Sequence, residues 1–173
     1  MSAIHNNEAI NEVIANEIIM SRLLNAPREL VWEVFTDPKH LANWWGPFGF
    51  TITTHQKETK VDGQWRLTMH GPDGRDYPNK IIYEEVVKPE RLVFRHSGDE
   101  DSEGVNHVTT IVFKEEGNLP AGKAGKIRAY FKMTFPSLES LQEVNAEYGA
   151  VEGGKQTMAR LEEYLTKLQS VGK

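Results

Sequence analysis

The side chains with most chemistry to offer in this 173-residue chain are aromatic, sulfur-bearing or imidazole groups set two residues apart. Trp65, Leu67 and Met69 alternate with polar neighbours; Leu92, Phe94 and His96 do the same, as do Phe131, Met133 and Phe135. A period of two puts each trio on one face of a strand. A broad apolar face rich in methionine is either ordinary core or the wall of a pocket that adapts to an irregular apolar molecule. Tyr83, Tyr130, Tyr148 and Tyr164 bring hydroxyl groups a ligand can use, with their phase across a sheet left open. His96 follows Leu92 and Phe94 in phase and is expected to point inward. An inward imidazole is a general base, a ligand's hydrogen-bond partner or a satisfied buried histidine. Trp44 and Trp45 have two readings, an aromatic gate at a pocket mouth or packing that pins the Gly46-Pro47 exit of a helix. Adjacent helical residues differ by about 100° in direction, so the two rings cannot face one core point.

Other chemistries have little support. The six histidines, His5, His40, His55, His70, His96 and His107, form no local ligand pair, and no metal or cofactor is expected. There is no cysteine, so thiolate catalysis and disulfides are excluded. No nucleophile stands beside an evident base, and no phosphate-binding glycine motif occurs. The net charge is −5 with acidic and basic residues interleaved, which gives a nucleic-acid backbone no basic stripe to bind. No apolar run is long enough to span a membrane and no secretory signal is seen, so a cytoplasmic location is the default expectation.

The elements that must position these residues follow from periodicity and punctuation. Residues 1–15 read as an N-terminal extension, and 16–170 as a single domain. Residues 16–25 are β-branched and read as the first strand. Ala26-Pro27 opens a helix carrying Leu30, Val31, Val34 and Phe35. Asp37 then caps a second short helix over 38–44, with Pro38 in its first turn. Alternating segments follow: residues 50–55, 65–70, 77–87 with a bend near Pro78, 91–96, 106–114 and 126–135. Gly71-Pro72-Asp73-Gly74 reads as a hairpin turn, and 97–104 as an exposed acidic loop with Asp99, Glu100, Asp101 and Glu103. Ser137 caps a further helical start. From Tyr148 to Leu168, Val151, Gly154, Met158, Leu161, Leu165 and Leu168 recur at helical spacing. The expected fold is α+β: a curved seven-stranded antiparallel sheet wrapped around a long C-terminal helix, with two short helices between its first two strands and space left under the long helix.

This order, with Ala26-Pro27, Val31-Trp32, Phe35-Thr36-Asp37-Pro38, Trp44-Trp45-Gly46-Pro47, Gly63-Gln64-Trp65-Arg66 and Lys88-Pro89-Glu90-Arg91-Leu92, resembles the Bet v 1-like (START-like, or SRPBCC) superfamily. Within it the chain is similar to the bacterial branch named after the activator of Hsp90 ATPase. The resemblance implies a helix-grip fold with an elongated cavity. The superfamily includes hydrophobic-ligand carriers, polyketide cyclases and co-chaperones. The leading expectation is binding of a small apolar or amphipathic molecule by a monomer or homodimer without dedicated catalytic machinery. The ligand would meet Trp44, Trp45, Trp65, Leu67, Met69, Tyr83, Phe94, His96, Phe131, Met133, Tyr148 and Met158. A cyclase- or hydrolase-like enzyme, with His96, Tyr83, Glu85 and Tyr148 as its polar groups, and a chaperone-binding module are the alternatives.

Overall fold

A computed structural model describes residues 10–97, 107–116 and 126–171. His5, the acidic loop with Asp99, Glu100, Asp101 and Glu103, and most of the polar 115–125 loop lie outside these residues. The elements run β1 (Ile10–Ile14), β2 (Glu17–Leu24), α1 (Arg28–Thr36), α2 (Pro38–Leu41), β3 (Thr51–Lys57), β4 (Gln64–His70), β5 (Asp76–Val87), β6 (Arg91–Ser97), β7 (His107–Glu115), β8 (Ile127–Thr134), α3 (Leu138–Tyr148) and α4 (Ala150–Val171). The strands form one antiparallel sheet in the order β1-β2-β8-β7-β6-β5-β4-β3. The first long strand thus pairs with the last, and the α1–α2 segment carries the chain to the opposite edge. This is the α+β helix-grip arrangement expected from the sequence. No helix among the described residues is long and apolar enough to cross a membrane.

The sheet has eight strands rather than seven. The additional one is β1, which lies in the stretch assigned to the N-terminal extension and pairs with β2 through a turn at Ala15 and Asn16. Ala15 holds a positive φ of 53° there, a conformation usually left to glycine, asparagine or aspartate. The turn therefore carries no sequence signal of the common hairpin kind. The bend expected near Pro78 lies elsewhere. Pro78 pairs in register with Thr68, and β5 bulges between Tyr83 and Glu85. A second bulge interrupts β3 between Thr54 and Gln56. Each extra residue bends its strand and increases the twist, deepening the concave face.

The helical caps follow the sequence. Asp37 accepts a hydrogen bond from the Lys39 backbone N–H and starts α2 with Pro38 in its first turn. The regular helix stops at Leu41, three residues short of the expected end, and Trp44 follows in a turn. Ser137 accepts from the Ser140 N–H and starts α3, which is a separate helix. Gly149, at φ 63°, closes α3 and redirects the chain into α4, a left-handed position that glycine adopts without a Cβ clash.

The turn at 58–63 docks on β5: Asp62 N–H donates to the Tyr83 carbonyl at 2.8 Å, and Tyr83 N–H to the Gly63 carbonyl at 3.0 Å. A Cβ on Gly63 would lie 2.2 Å from the Glu58 carbonyl oxygen, so the backbone would have to move. Gly63→Ala is expected to cost about 2 kcal/mol through backbone displacement. The check is a lowered urea midpoint with an unchanged slope.

Candidate functional site

The concave face is set by strand phase. Trp65, Leu67 and Met69 on β4 oppose Ile81, Asn79 and Tyr77 on β5. Tyr83 and Ile81 oppose Phe94 and His96 on β6, and His96 opposes His107 on β7. Met133 and Phe131 on β8 oppose Thr109 and Ile111. This face is packed unevenly. At the end beneath α1 and α2 it is solid. Phe113, Phe35, Trp44, Trp45 and Trp65 form a chain of rings with successive centroids 4.9, 4.9, 5.5 and 4.9 Å apart, within the range of favourable edge-to-face contact. Trp44 is fully buried and donates through Nε1 to the Val34 carbonyl at 3.0 Å, so it is the tryptophan that pins the helical pair. Trp45 is half-buried and lies on Trp65. Trp65, Leu67 and Tyr83 are buried in the same plug.

The C-terminal half of α4 sits directly on the sheet. Leu161 has no exposed surface, and Met158 and Leu165 are also buried. Beneath Met158, Leu161 and Leu165 these large apolar side chains fill the groove. A Cβ on Gly154 would come within 2.3 Å of Met20 Cε, so the helix approaches β2 closely where it carries no side chain. Arg22, buried on β2, faces Glu162 of α4 across 3.4 Å and donates to Asn11 Oδ1 of β1 at 2.8 Å.

Toward the other end the same inward rows are less completely covered. Met69, Tyr77, Asn79, His96 and Met133 are only half-buried, while the neighbouring Leu67, Ile81 and Phe94 are buried. Phe131 and Met158 lie between the two regimes and are almost covered. A rim surrounds this wider end. Gly46 lies against Met69 Cε and Gly49 against Pro72, while the Phe50 and Tyr77 rings are 5.9 Å apart. Phe48 is 55% exposed, and its N–H donates to Gln156 Oε1 of α4 at 3.1 Å. Arg160 Nη1 donates to the carbonyls of Gly46, Pro47 and Phe50 at 2.9, 3.2 and 3.2 Å, tying this loop to α4. Tyr148, expected in the pocket lining, is 56% exposed at the end of α3 beside Arg75 and Tyr77. It belongs to the outer rim.

Two of the polar groups on the concave wall are histidines in contact. The His96 and His107 rings stack at 4.8 Å, and His107 stacks on Phe135 at 4.8 Å. His96 Nε2–H donates to Asn79 Oδ1, which leaves its Nδ1 as an acceptor. His107 is 9% exposed, and its Nδ1 has no hydrogen-bond partner among the described residues. Burial lowers the His96 pKa to about 4. Burial, and then the neighbouring His96, lowers that of His107 to about 3. At neutral pH both are uncharged in an apolar wall, and both are weak bases. Either phase of β7 carries β-branched residues, so alternation alone does not mark His107 as inward.

Two other residues change place because of the bulges. Glu85, expected by alternation to share the phase of Tyr83, is turned out and pairs with Arg91 at 3.1 Å in solvent. Lys57, which unbroken alternation would put on the face of Thr53 and His55, is turned in opposite Trp65. No sequence pattern marks either bulge.

The family model described as Activator of Hsp90 ATPase homolog 1-like protein matches residues 25–166. Among solved structures, a protein from Arthrobacter aurescens is 24% identical with a TM-score of 0.79, the match covering 92% of this chain and 91% of that one. One from Mycobacterium smegmatis is 23% identical at a TM-score of 0.75, covering 90% and 94%. The AHSA1 protein from Silicibacter pomeroyi is 19% identical at 0.65, covering 87% and 97%. At these identities the likeness is one of fold. No curated protein matches.

The two folded-state histidine values lie below the ordinary value of about 6.5 that the unfolded chain shows. The neutral pair's contribution to stability is therefore complete above that pH, and is lost as pH falls through about 4 and then about 3. The urea midpoint is expected to fall on acidification below pH ~6.5, by a smaller amount in His107→Phe, which keeps a stacked ring but binds no proton. Parallel pH profiles for the two proteins would refute the assignment.

Proposed function

The chain belongs to the activator of Hsp90 ATPase homolog 1-like family, and from that premise we propose that it binds a small apolar or amphipathic molecule between the N-terminal half of α4 and the wide end of the sheet. The observation that carries this reading is the half-burial of Met69, Tyr77, Asn79, His96 and Met133 beside inward neighbours that are completely packed. Two thioethers give an adaptable apolar wall. The Nδ1 acceptor of His96 suits a neutral hydroxyl or phenol on the ligand, because a carboxylate would meet no positive charge on either imidazole at neutral pH. The outer face of His96, the end ring of this stack, favours a flat, aromatic ligand body. Phe48 and Tyr148, exposed on the rim, are the first aromatic surfaces such a molecule would meet.

Of the residues first assigned to the ligand, Met69, His96 and Met133 remain its proposed contacts, with Phe94, Phe131 and Met158 forming the floor. Trp44, Trp45, Trp65, Leu67 and Tyr83 support that floor from the plug. Binding rather than turnover is the favoured reading, since imidazoles held this far below neutrality are poor proton acceptors for chemistry. The proposal places this binding in the cytoplasm, in a monomer or homodimer, and gives a chaperone no part in it.

The test is a thermal-shift screen of flavonoids, aromatic polyketides and fatty acids. A ligand at a hundred times its Kd should add about 2.7 kcal/mol to stability. Met133→Trp, which fills the wide end, should weaken binding at least about tenfold, a loss of about 1.4 kcal/mol, while leaving the unliganded protein folded. A flat response across the screen, or unchanged binding by the filled variant, would refute the proposal.

A further inference from the structure

Lys57 stands in a corner of the molecule that ligand binding at the wide end does not use. It lies on β3, an edge of the sheet, and the bulge after Thr54 turns it onto the concave phase. Its Nζ lies 5.6 Å from the centroid of the Trp65 ring and 5.0 Å from that of Tyr83, and donates to Thr59 Oγ1. Two aromatic faces attract a cation, but no carboxylate forms an ion pair with this one among the described residues. Burial lowers its pKa to about 8, and the nearby Asp37 offsets part of that effect. A partly sheltered lysine with no close counter-ion is a free amine for an appreciable fraction of the time near neutrality. The Thr59 hydroxyl also faces that of Tyr83, whose pKa burial raises, so the phenol keeps its proton. Amine, alcohol and phenol therefore meet at one point. Exposed Gln56, Glu58 and Lys60 flank it along the open β3 edge.

We propose that Lys57 is a covalent capture site for small apolar or aromatic aldehydes and ketones, which it takes as Schiff bases. The Nζ lone pair attacks the carbonyl carbon, forming the C–N bond as the C=O π pair moves onto oxygen. A proton passes from nitrogen to that oxygen, with the Thr59 and Tyr83 hydroxyls placed to relay it, and gives a carbinolamine. Departure of the hydroxyl as water, with one proton from solvent, leaves a protonated C=N bond. No electron is gained or lost, and water is the only other product. The iminium keeps the positive charge, so the ring faces that now hold the ammonium would hold it as well. Lys57, Trp65, Ile81 and His96 fall on one register row, so Lys57 stands three strands, about 14 Å, from His96, with buried Trp65 and Ile81 between them. Either proposal can therefore fail without the other.

The full chain would be incubated at neutral pH with benzaldehyde and cyanoborohydride, which reduces the imine to a stable benzylamine, and modified peptides located by mass spectrometry. Each unit of pKa depression is about a tenfold gain in free amine, so Lys57 should be labelled at least about tenfold faster than the exposed lysines. Its labelling should rise with pH to a midpoint near 8, a value set by its shelter and then by Asp37 on the α2 cap, with the protonated Tyr83 phenol facing it from β5. Thr59→Val should slow the reaction at Lys57 alone, and Lys57→Arg should remove the fast phase and leave the slow one. Labelling of Lys57 at or below the rate of the surface lysines would overturn the proposal. So would a fast phase that survives Lys57→Arg. If the variants do not fold, the wild-type peptide map decides alone.

Discussion

The contact between α4 and the sheet governs this molecule. A curved antiparallel sheet presents one concave apolar face, and a single helix has to cover it. Met158, Leu161 and Leu165 supply the apolar volume over half of that length. Their burial is worth roughly 1.5–3 kcal/mol each as an upper value. The preceding turns carry Val151, Gly153, Gly154 and Thr157, which project far less volume. Gly154 allows the helix to settle against Met20, and the buried Arg22 below answers to Glu162 above. The helix is thus held fast at one end of the groove and thinly padded at the other. The difference between plug and wide end follows from where along one helix the large side chains fall.

The electrostatics of the interior follow from the same geometry. A buried charge is costly unless paired, and the concave wall meets that constraint in three ways. Arg22 has its carboxylate. His96 and His107 stay neutral, one donating to Asn79 and the two stacked with Phe135. Lys57 lies over ring faces, where quadrupoles replace a counter-ion. The groups of interest are therefore the ones whose environment has moved them away from their usual protonation. None of them lies in a sequence motif.

Most of the architecture could be read from periodicity. The alternation of Ile127, Ala129, Phe131 and Met133 marked β8, and the spacing of Met158, Leu161 and Leu165 marked α4. Asp37 and Ser137 announced their helices by short-range capping chemistry, which depends only on the next three residues. What escaped was whatever the chain decides over longer range. Ala15 takes a left-handed turn without glycine because β1 pairs in register beyond it. Two bulges exchange the faces of Lys57 and Glu85, since one inserted residue reverses everything after it. The stack of His96 on His107 needs two strands in register, information no single strand holds. Of the twelve residues named for a ligand, six lie toward the less covered end, five in the plug and one, Tyr148, outside.

Arg160 has a consequence for how the molecule could admit anything. One guanidinium serves the carbonyls of Gly46, Pro47 and Phe50 at once, so these bonds share a donor and are lost or kept together. The rim cannot fray residue by residue. It is latched, and a swing of the loop away from α4 would be a discrete, all-at-once event rather than a gradual widening. Access to the interior would then be governed by how often one side chain lets go.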